Sequence, residues 1–398
     1  MAGKRRRSGR RTDDPQTVFA LRLAKHLTGA AAASNLVFSP LSIYAALGLA
    51  AAGAGGRTLK EILKALGVRS CSKLNELLGE AAEQALADQL QSSGGTNIAF
   101  ACGVWHDEGW ALLPEFQEAA DASYKAEVRA VDFRNKPEDA IGDINSWVAA
   151  ATNNLVNSIV GPSSISWDTS LLLANAIYFK GNWDVPFPKE QTTVEKFFRL
   201  DGSTTDAPFM GSARRHLISV HDGSPSELVG GILQPKKYSM CIFLPDVRDG
   251  LPELTDRITS SSGFPGDYLP DKPVLVEKFR LPKFKLSSSG GIRQALTDCL
   301  GIKNAFDAGE ADFSNLANGE GSDMKLFMTE VAHKAMLEVN EKGASRATAA
   351  TTFGMRILAS RIPAKDVDFV ADHPFMFFVI EEVSGAIILA GHVLDPST

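Results

Sequence analysis

Residues 333–360 have the sequence HKAMLEVNEKGASRATAATTFGMRILAS, in which an apolar, β-rich segment (His333–Val339) leads into a run of small and hydroxylated residues. A second apolar segment, HPFMFFVI, follows at His373–Ile380. A long loop between two core strands usually has a function. The small side chains of its first half suit a segment that becomes a strand. Its second half has side chains that protease pockets accept, namely Met355, Arg356, Ile357 and Leu358. The sequence therefore predicts a protease bait on a segment that can enter a sheet.

The composition indicates a globular chain with a large core. The chain has 398 residues, of which 44% are hydrophobic, and few stretches resemble linkers. We therefore expect one domain over residues 15–398, preceded by a tail over residues 1–14. The formal net charge of −6 argues against nucleic-acid binding by the folded body.

Cysteine usage predicts a reducing compartment. The four cysteines lack paired or metal-like spacing, and the sequence has no Asn-X-Ser/Thr sequon. The cysteines, expected to be free thiols, are Cys71, Cys102, Cys241 and Cys299. No apolar segment follows the basic N-terminal residues, and the apolar run Leu47–Gly56 is too short to cross a bilayer, so we expect neither a signal peptide nor a membrane anchor.

A basic cluster, KRRRSGRR, occupies Lys4–Arg11. Such a run is typical of a nuclear-localisation signal or a weak polyanion contact, and the alternative is a disordered, solvated tail. We expect a cytoplasmic protein. Nuclear entry through this cluster and export to the apoplast without a signal peptide stay open as alternatives.

Hydrophobic periodicity predicts helices early in the chain and strands late. Helical spacing covers most of residues 17–90, with Ser39-Pro40 as a helix start, and continues at Pro114–Ala122 and Glu138–Asn154. Strand patterns occur at Asn97–Trp105 and Leu171–Phe179 and dominate after Phe197. Without a regular alternation of strands and helices, this order indicates the α+β class.

Catalytic and cofactor motifs are absent from the sequence. There is no nucleophile elbow, zinc-protease helix, dinucleotide fingerprint or P-loop. The histidines near acidic residues have unspecific spacing, so we expect no metal and no cofactor. A hydrolase with a triad assembled only by the fold remains the alternative from a different class.

Six segments in order resemble one family. They are NLVFSPLSI (Asn35–Ile43), LLLANAIYFKGNWDVPF (Leu171–Phe187), LPKFKL (Leu281–Leu286), LGIKNAFDAGEADFS (Leu300–Ser314), HKAMLEVNEKG (His333–Gly343) and FVADHPFMFFVI (Phe369–Ile380). Across nearly its whole length the chain resembles a serpin, and more particularly a plant-type serpin.

The resemblance implies an α+β fold with helices packed around three β-sheets and an exposed reactive-centre loop at about residues 341–365. It also implies a monomer that is not an enzyme. Its partner would be a serine endopeptidase, with a papain-like cysteine protease as the alternative. The protease cleaves the loop and becomes acyl-linked to it, and the loop then inserts into the central sheet before the acyl bond hydrolyses.

The resemblance assigns a role to several polar residues in apolar segments. The region where the central strands part, called the shutter, matches Ser39, Ser42, Asn175 and His333. Trp183 matches the tryptophan at the top of the sheet, where insertion begins. The alternative for each of them is an ordinary core residue with satisfied hydrogen bonds.

The hinge departs from the family pattern at one position. The matching residues are Glu341, Gly343, Ala344, Arg346, Thr348 and Ala350. Family register turns Arg346 toward the core after insertion, where the pattern has a small residue. Burial of an unpaired guanidinium costs several kcal/mol. A slow insertion lets the protease hydrolyse the acyl bond, so the alternative is a non-inhibitory serpin that is cleaved or acts only by binding.

The cleavage site has two candidates. Family spacing counted from Glu341 places Ile357 before the scissile bond, whereas many plant serpins have arginine there and this chain has Arg356 one residue earlier. An aliphatic bait suits an elastase-like or chymotrypsin-like pocket, and arginine suits an acidic pocket. Arg361 is a minor third candidate, and a segment that merely packs against the body is the alternative. A second departure covers His216–Lys237, which matches the family's strand pair poorly.

Overall fold

The computed structural model describes most of the chain. The described residues are 14–85, 97–181, 183, 185–212, 215–219, 238–265, 268, 273–318, 325–342, 353–358 and 367–398. The basic cluster Lys4–Arg11 lies outside them. Asp14, expected to end the tail, instead caps the first helix, because its carboxylate accepts a hydrogen bond from the Thr17 backbone N–H at 2.9 Å.

Helices lie mainly in the first half of the chain and strands in the second, so the predicted α+β class is confirmed. The described helices are α1 Pro15–Ala30, α2 Pro40–Gly53, α3 Gly56–Ala65, α4 Cys71–Ala85, α5 Pro114–Tyr124, α6 Pro137–Ala151, α7 Leu251–Thr259 and α8 Arg293–Asp298. The described strands are β1 Leu36–Phe38, β2 Asn97–Asp107, β3 Ala111–Leu112, β4 Glu127–Val131, β5 Leu171–Lys180, β6 Thr193–Phe198, β7 Thr204–Ser212, β8 Arg215–Ser219, β9 Tyr238–Phe243, β10 Pro273–Pro282, β11 Phe284–Gly291, β12 Ala317–Asn318, β13 Met328–Val339, β14 Phe353–Leu358, β15 Val367–Val370, β16 Phe375–Glu381 and β17 Ile387–Val393.

Local sequence signals explain where several helices and strands begin and end. Ser39 is the N-cap of α2, with Pro40 at the first helical position, and its hydroxyl accepts the Ser42 backbone N–H at 3.1 Å. Pro282 ends β10 because proline has no backbone N–H to continue a ladder. The main helices and strands therefore follow from capping residues and periodicity.

One sheet runs through the centre of the molecule. Among the described residues it has five strands in the order β11-β13-β5-β2-β4. β5 is buried along nearly its whole length. Its small residues Ala174 and Ala176 pack in the cluster that includes Ile144 and Val148 of α6. Ile177 and Phe179 pack in a second cluster, shared with the strands of the other large sheet. The central sheet is thus covered on both faces.

In the described part of the chain, the other large sheet has ten strands. Nine follow the order β1-β17-β16-β9-β14-β8-β10-β7-β6, and the tenth, β15, pairs with β10. β14 runs parallel to β9 on one edge and to β8 on the other. This placement differs from the expectation of an exposed loop over all of residues 341–365. Phe353–Leu358 forms a strand because β9 is a buried strand whose second edge needs a backbone partner.

The remaining described elements complete the core. Helices α1 and α2 pack against each other and against β17, and β3 pairs with β12 in a small two-stranded sheet. Among the described helices, none has the length and apolarity needed to cross a membrane.

Candidate functional site

The loop predicted to enter a sheet begins at the end of β13, which makes the boundary between β13 and β5 the candidate site. We call this boundary the seam. The two strands run parallel and are hydrogen-bonded directly to each other, in a register that pairs Val331 with Leu173 and Leu337 with Phe179. No strand therefore lies between them along this register.

The structure brings the four predicted shutter residues into one buried cluster at the seam. Asn175 of β5 lies opposite His333 of β13 in the strand register. The His333 ring contacts Asn175 Oδ1 through Nδ1 at 2.6 Å, and its Nε2 accepts the Ser39 backbone N–H at 3.0 Å. Since Nε2 is the acceptor, the proton of the neutral ring lies on Nδ1. Asn175 Oδ1 also accepts the Ser42 hydroxyl at 2.9 Å. The cluster links both strands to the start of α2.

Burial lowers the pKa of His333 to about 3, from an ordinary value of 6.5. The folded protein therefore keeps this imidazole neutral, and the acceptor role of Nε2 requires that state. Protonation would place a charge in the buried cluster and remove the acceptor of the Ser39 N–H.

A second set of contacts crosses the seam near its upper end, close to the loop. Glu338 of β13 accepts hydrogen bonds from the Tyr178 hydroxyl at 3.2 Å and from the Lys180 ammonium, both on β5. Burial, followed by the charge of Glu338, raises the pKa of Tyr178 to about 12. The sequence does not predict this network, because each of these residues alone is an ordinary polar side chain near the end of a strand. The available signal was an acidic residue and a basic residue on the two segments that also carry the shutter residues Asn175 and His333.

The predicted top of the sheet lies immediately above this network. Trp183 is 6% exposed, and its indole N–H donates to the Asn340 carbonyl. Its ring packs edge-to-face on Phe187, with ring centroids 5.6 Å apart. The Phe187 backbone N–H donates to the Glu341 carbonyl at 2.9 Å. These contacts hold the first residues of the loop against the segment that follows β5.

The side chain of Glu341 fixes the first residues of the loop, which we call its root. The carboxylate is buried and accepts hydrogen bonds from Thr192 Oγ1 and Lys283 Nζ, each at 3.0 Å. Burial alone would raise the pKa of Glu341, but hydrogen bonds from its own backbone, Lys283 and Thr192 together lower it. Neither partner was among the predicted site residues.

The other predicted hinge residues lie outside the described residues. They are Gly343, Ala344, Arg346, Thr348 and Ala350. The predicted bait is described by its backbone, and the structure places it away from the seam, in β14. Among the described residues, no group of three or more His, Cys, Asp or Glu side chains could hold a metal ion.

Comparison with known proteins decides the family. The model of the family described as Serpin (serine protease inhibitor) matches residues 14–396. The chain belongs to the serpin family. Rice Serpin-Z2A (Oryza sativa subsp. japonica) is 46% identical over 96% of this chain and 97% of its own length. Wheat Serpin-Z1C (Triticum aestivum) is 38% identical over 96% of this chain and 95% of its own length. The expected resemblance to plant serpins is thus confirmed.

Solved structures show the same serpin fold. Arabidopsis AtSerpin1, in a conformation described as native and stressed, matches with a TM-score of 0.86 and 32% identity, covering 97% of this chain and 98% of that one. Uncleaved ovalbumin matches with a TM-score of 0.80 at 21% identity, covering 97% of this chain and 100% of that one, which shows the fold alone. The serpin family is one of protease inhibitors.

Because the imidazole of His333 is buried in its neutral form, we expect the folded protein to lose stability in acid. Above pH 6.5 neither the folded nor the unfolded state protonates His333 extensively, so its neutral contacts contribute fully to stability. Between pH 6.5 and about 3 the unfolded state binds a proton that the folded state does not, so this contribution falls with pH. At pH 5 we expect a loss of about 2 kcal/mol relative to pH 7.5 from this residue.

Urea-induced unfolding of the wild type and His333→Gln at both pH values measures that loss. Other histidines titrate in both proteins, so the difference between the two losses isolates His333. Equal losses in the two proteins would contradict the assignment.

The ion pair at the root of the loop predicts a measurable energetic coupling between Glu341 and Lys283. Glu341→Gln removes the charge that Lys283 and Thr192 face, and we expect a loss of about 1–3 kcal/mol in the free energy of unfolding. Lys283→Met removes the same interaction from the other side. The double variant should therefore lose less than the sum of the two, by at least about 1 kcal/mol. Additive losses would show that the pair contributes nothing to the root.

Proposed function

We propose that this serpin inhibits serine endopeptidases as a suicide substrate. The protease cleaves the bait, stays acyl-linked to it, and is carried along as the first half of the loop inserts at the seam. The observation that supports this best is the direct parallel pairing of β5 and β13, with the loop starting at the end of β13.

The geometry of the seam favours insertion of the loop. A chain that turns back at Glu341 runs antiparallel to β13 and therefore also to β5. Its insertion would replace one parallel ladder by two antiparallel ladders. Antiparallel pairing is slightly more stable per residue, and the exchange adds hydrogen bonds worth about 0.5–1.5 kcal/mol each. The uncleaved protein would then hold a free-energy difference that cleavage releases.

The same exchange has a cost at the seam. Insertion breaks the contact between His333 and Asn175 and the contacts of Glu338 with Tyr178 and Lys180, all of which join β5 to β13. These groups need new partners on the inserted strand or in water. The bonds that close the seam would thus keep the uncleaved protein from opening spontaneously.

The bait sequence supports two classes of target. Cleavage after Arg356 requires a pocket with an acidic floor, as in a trypsin-like protease, and a papain-like cysteine protease is the alternative. Cleavage after Ile357 requires an aliphatic pocket, as in an elastase-like protease. We propose no catalytic activity for the chain itself, and turnover of a peptide substrate by the purified protein alone would contradict this.

A second candidate function rests on Arg346. If this side chain enters the core during insertion, the cost of several kcal/mol slows the step that competes with hydrolysis of the acyl bond. The protein would then be cleaved as a substrate without trapping its protease.

The two candidate functions predict different products when the protein is mixed with trypsin or elastase. Trapping gives a complex that survives SDS, and substrate behaviour gives clean cleavage. Arg346→Ala should raise the ratio of complex to cleaved protein by about tenfold or more, because a barrier lowered by about 1.4 kcal/mol speeds a step tenfold. Ser345→Ala, on the opposite face of the inserted strand, is the matched control and should leave the ratio unchanged. An unchanged ratio in both variants would show that Arg346 does not slow insertion.

A further inference from the structure

The strand β9 needs a backbone partner on each of its edges. Every residue of Tyr238–Phe243 is buried. One edge pairs antiparallel with β16 over the whole strand. In the closed structure, where the whole strand is buried, the backbone groups on the other edge also need hydrogen-bond partners. In the structure β14 supplies them, in a parallel register that runs from Phe353 opposite Tyr238 to Leu358 opposite Phe243.

The second edge of β14 is also occupied. Ile357 and Leu358 pair with Ile218 and Ser219 of β8, and β8 pairs on its far side with β10. Among the described strands, β14 therefore joins the group β1-β17-β16-β9 to the group β8-β10-β7-β6. Without it the two groups would have no ladder between them along this path.

The sequence explains why this position is open to the bait. Between β8 and β9 the sequence contains residues that are depleted in strands, namely Gly223, Pro225, Gly230, Gly231 and Pro235. The segment FGMRIL of β14 contains one glycine and no proline. It is the better strand former of the two.

This pairing covers both candidate scissile bonds. The Arg356–Ile357 and Ile357–Leu358 peptide bonds both lie within the ladder with Cys241, Ile242 and Phe243 of β9. A protease holds its substrate as an extended strand through the substrate's backbone N–H and C=O groups. A segment paired in a sheet cannot present the same groups to a protease.

We propose that Phe353–Leu358 is a masked bait, and that the position between β9 and β8 is a strand-binding site whose occupant is this segment. The protease gains access only when β14 leaves that site. The identification of β14 as the bait rests on the proposed function, whereas the masking concerns only access to its peptide bonds. When opening and closing are fast relative to cleavage, the cleavage rate follows the fraction of molecules with β14 released.

The experiment compares each protein with a peptide of its own sequence. Trypsin cleavage after Arg356, identified by fragment mass, is timed in the protein and in a synthetic peptide covering Thr352–Ser360. The ratio of the peptide rate to the protein rate is the masking factor, and it cancels effects of a substitution on trypsin itself. For the wild type we expect a factor of about 100 or more, since a paired strand opens rarely. Amides of Met355–Leu358 should exchange as slowly as those of β9.

Variants at one position test the origin of the masking. Gly354→Pro removes a backbone N–H from β14 and should lower the masking factor at least tenfold. In this variant the amides of Met355–Leu358 should exchange as fast as those of an unstructured peptide. Gly354→Ala keeps the N–H and is the matched control, which should retain the wild-type factor. A wild-type protein that is cleaved as fast as its peptide would overturn the proposal, and so would a Gly354→Pro variant with an unchanged factor.

A peptide competitor keeps the test decisive if Gly354→Pro does not fold. The peptide FGMQIL copies β14 with glutamine in place of arginine, so trypsin does not cut it. Excess peptide should accelerate cleavage of the wild type at least tenfold, and no acceleration would overturn the proposal. Covalent complexes are scored separately. A released bait that is cleaved without forming an SDS-stable complex supports masking while contradicting the trapping function.

Discussion

The direct hydrogen bonding of two parallel strands, β5 and β13, is the constraint on which the rest of the structure depends. The two strands leave no gap between them, and polar groups join them, buried at the centre and half-buried at the top of the sheet. The central contact is His333 with Asn175, and the upper one is Glu338 with Lys180. The loop leaves from the end of one of these strands, so any strand that it forms at the seam has to separate them.

The start and the second half of the loop region are held in different sheets. The first half follows Glu341, whose side chain and backbone carbonyl are both held at the top of the central sheet. The second half contains β14, which is held in the other large sheet by β9 and β8. A loop that is anchored at both ends cannot insert along its full length. Under the masking proposal, Phe353–Arg356 has to leave β9 before a protease can cut after Arg356, and the cut then removes the continuity of the chain. On the proposed mechanism, burial of Arg346 would be the step that slows insertion relative to hydrolysis.

Sequence alone predicted the family, the fold class and the residues that meet at the seam. These come from ordered motifs and from polar residues such as Ser39 and His333 in apolar surroundings, which are local features. The sequence did not predict the partners of Glu341 and Glu338, because charged residues at strand ends occur in most proteins. It also did not predict the position of β14. Parallel pairing joins segments far apart in the chain, and periodicity carries no information about which strand lies beside which.

The melting temperature before and after a single cut in the bait tests the central claim most directly. Trypsin cleaves the protein after Arg356, fragment mass confirms the cut, and both forms are heated under the same conditions. If the uncleaved protein stores free energy at the seam, cleavage allows a new strand to enter and the melting temperature rises by about 10 °C or more. A cleaved protein that melts at or below the temperature of the intact protein would contradict the account.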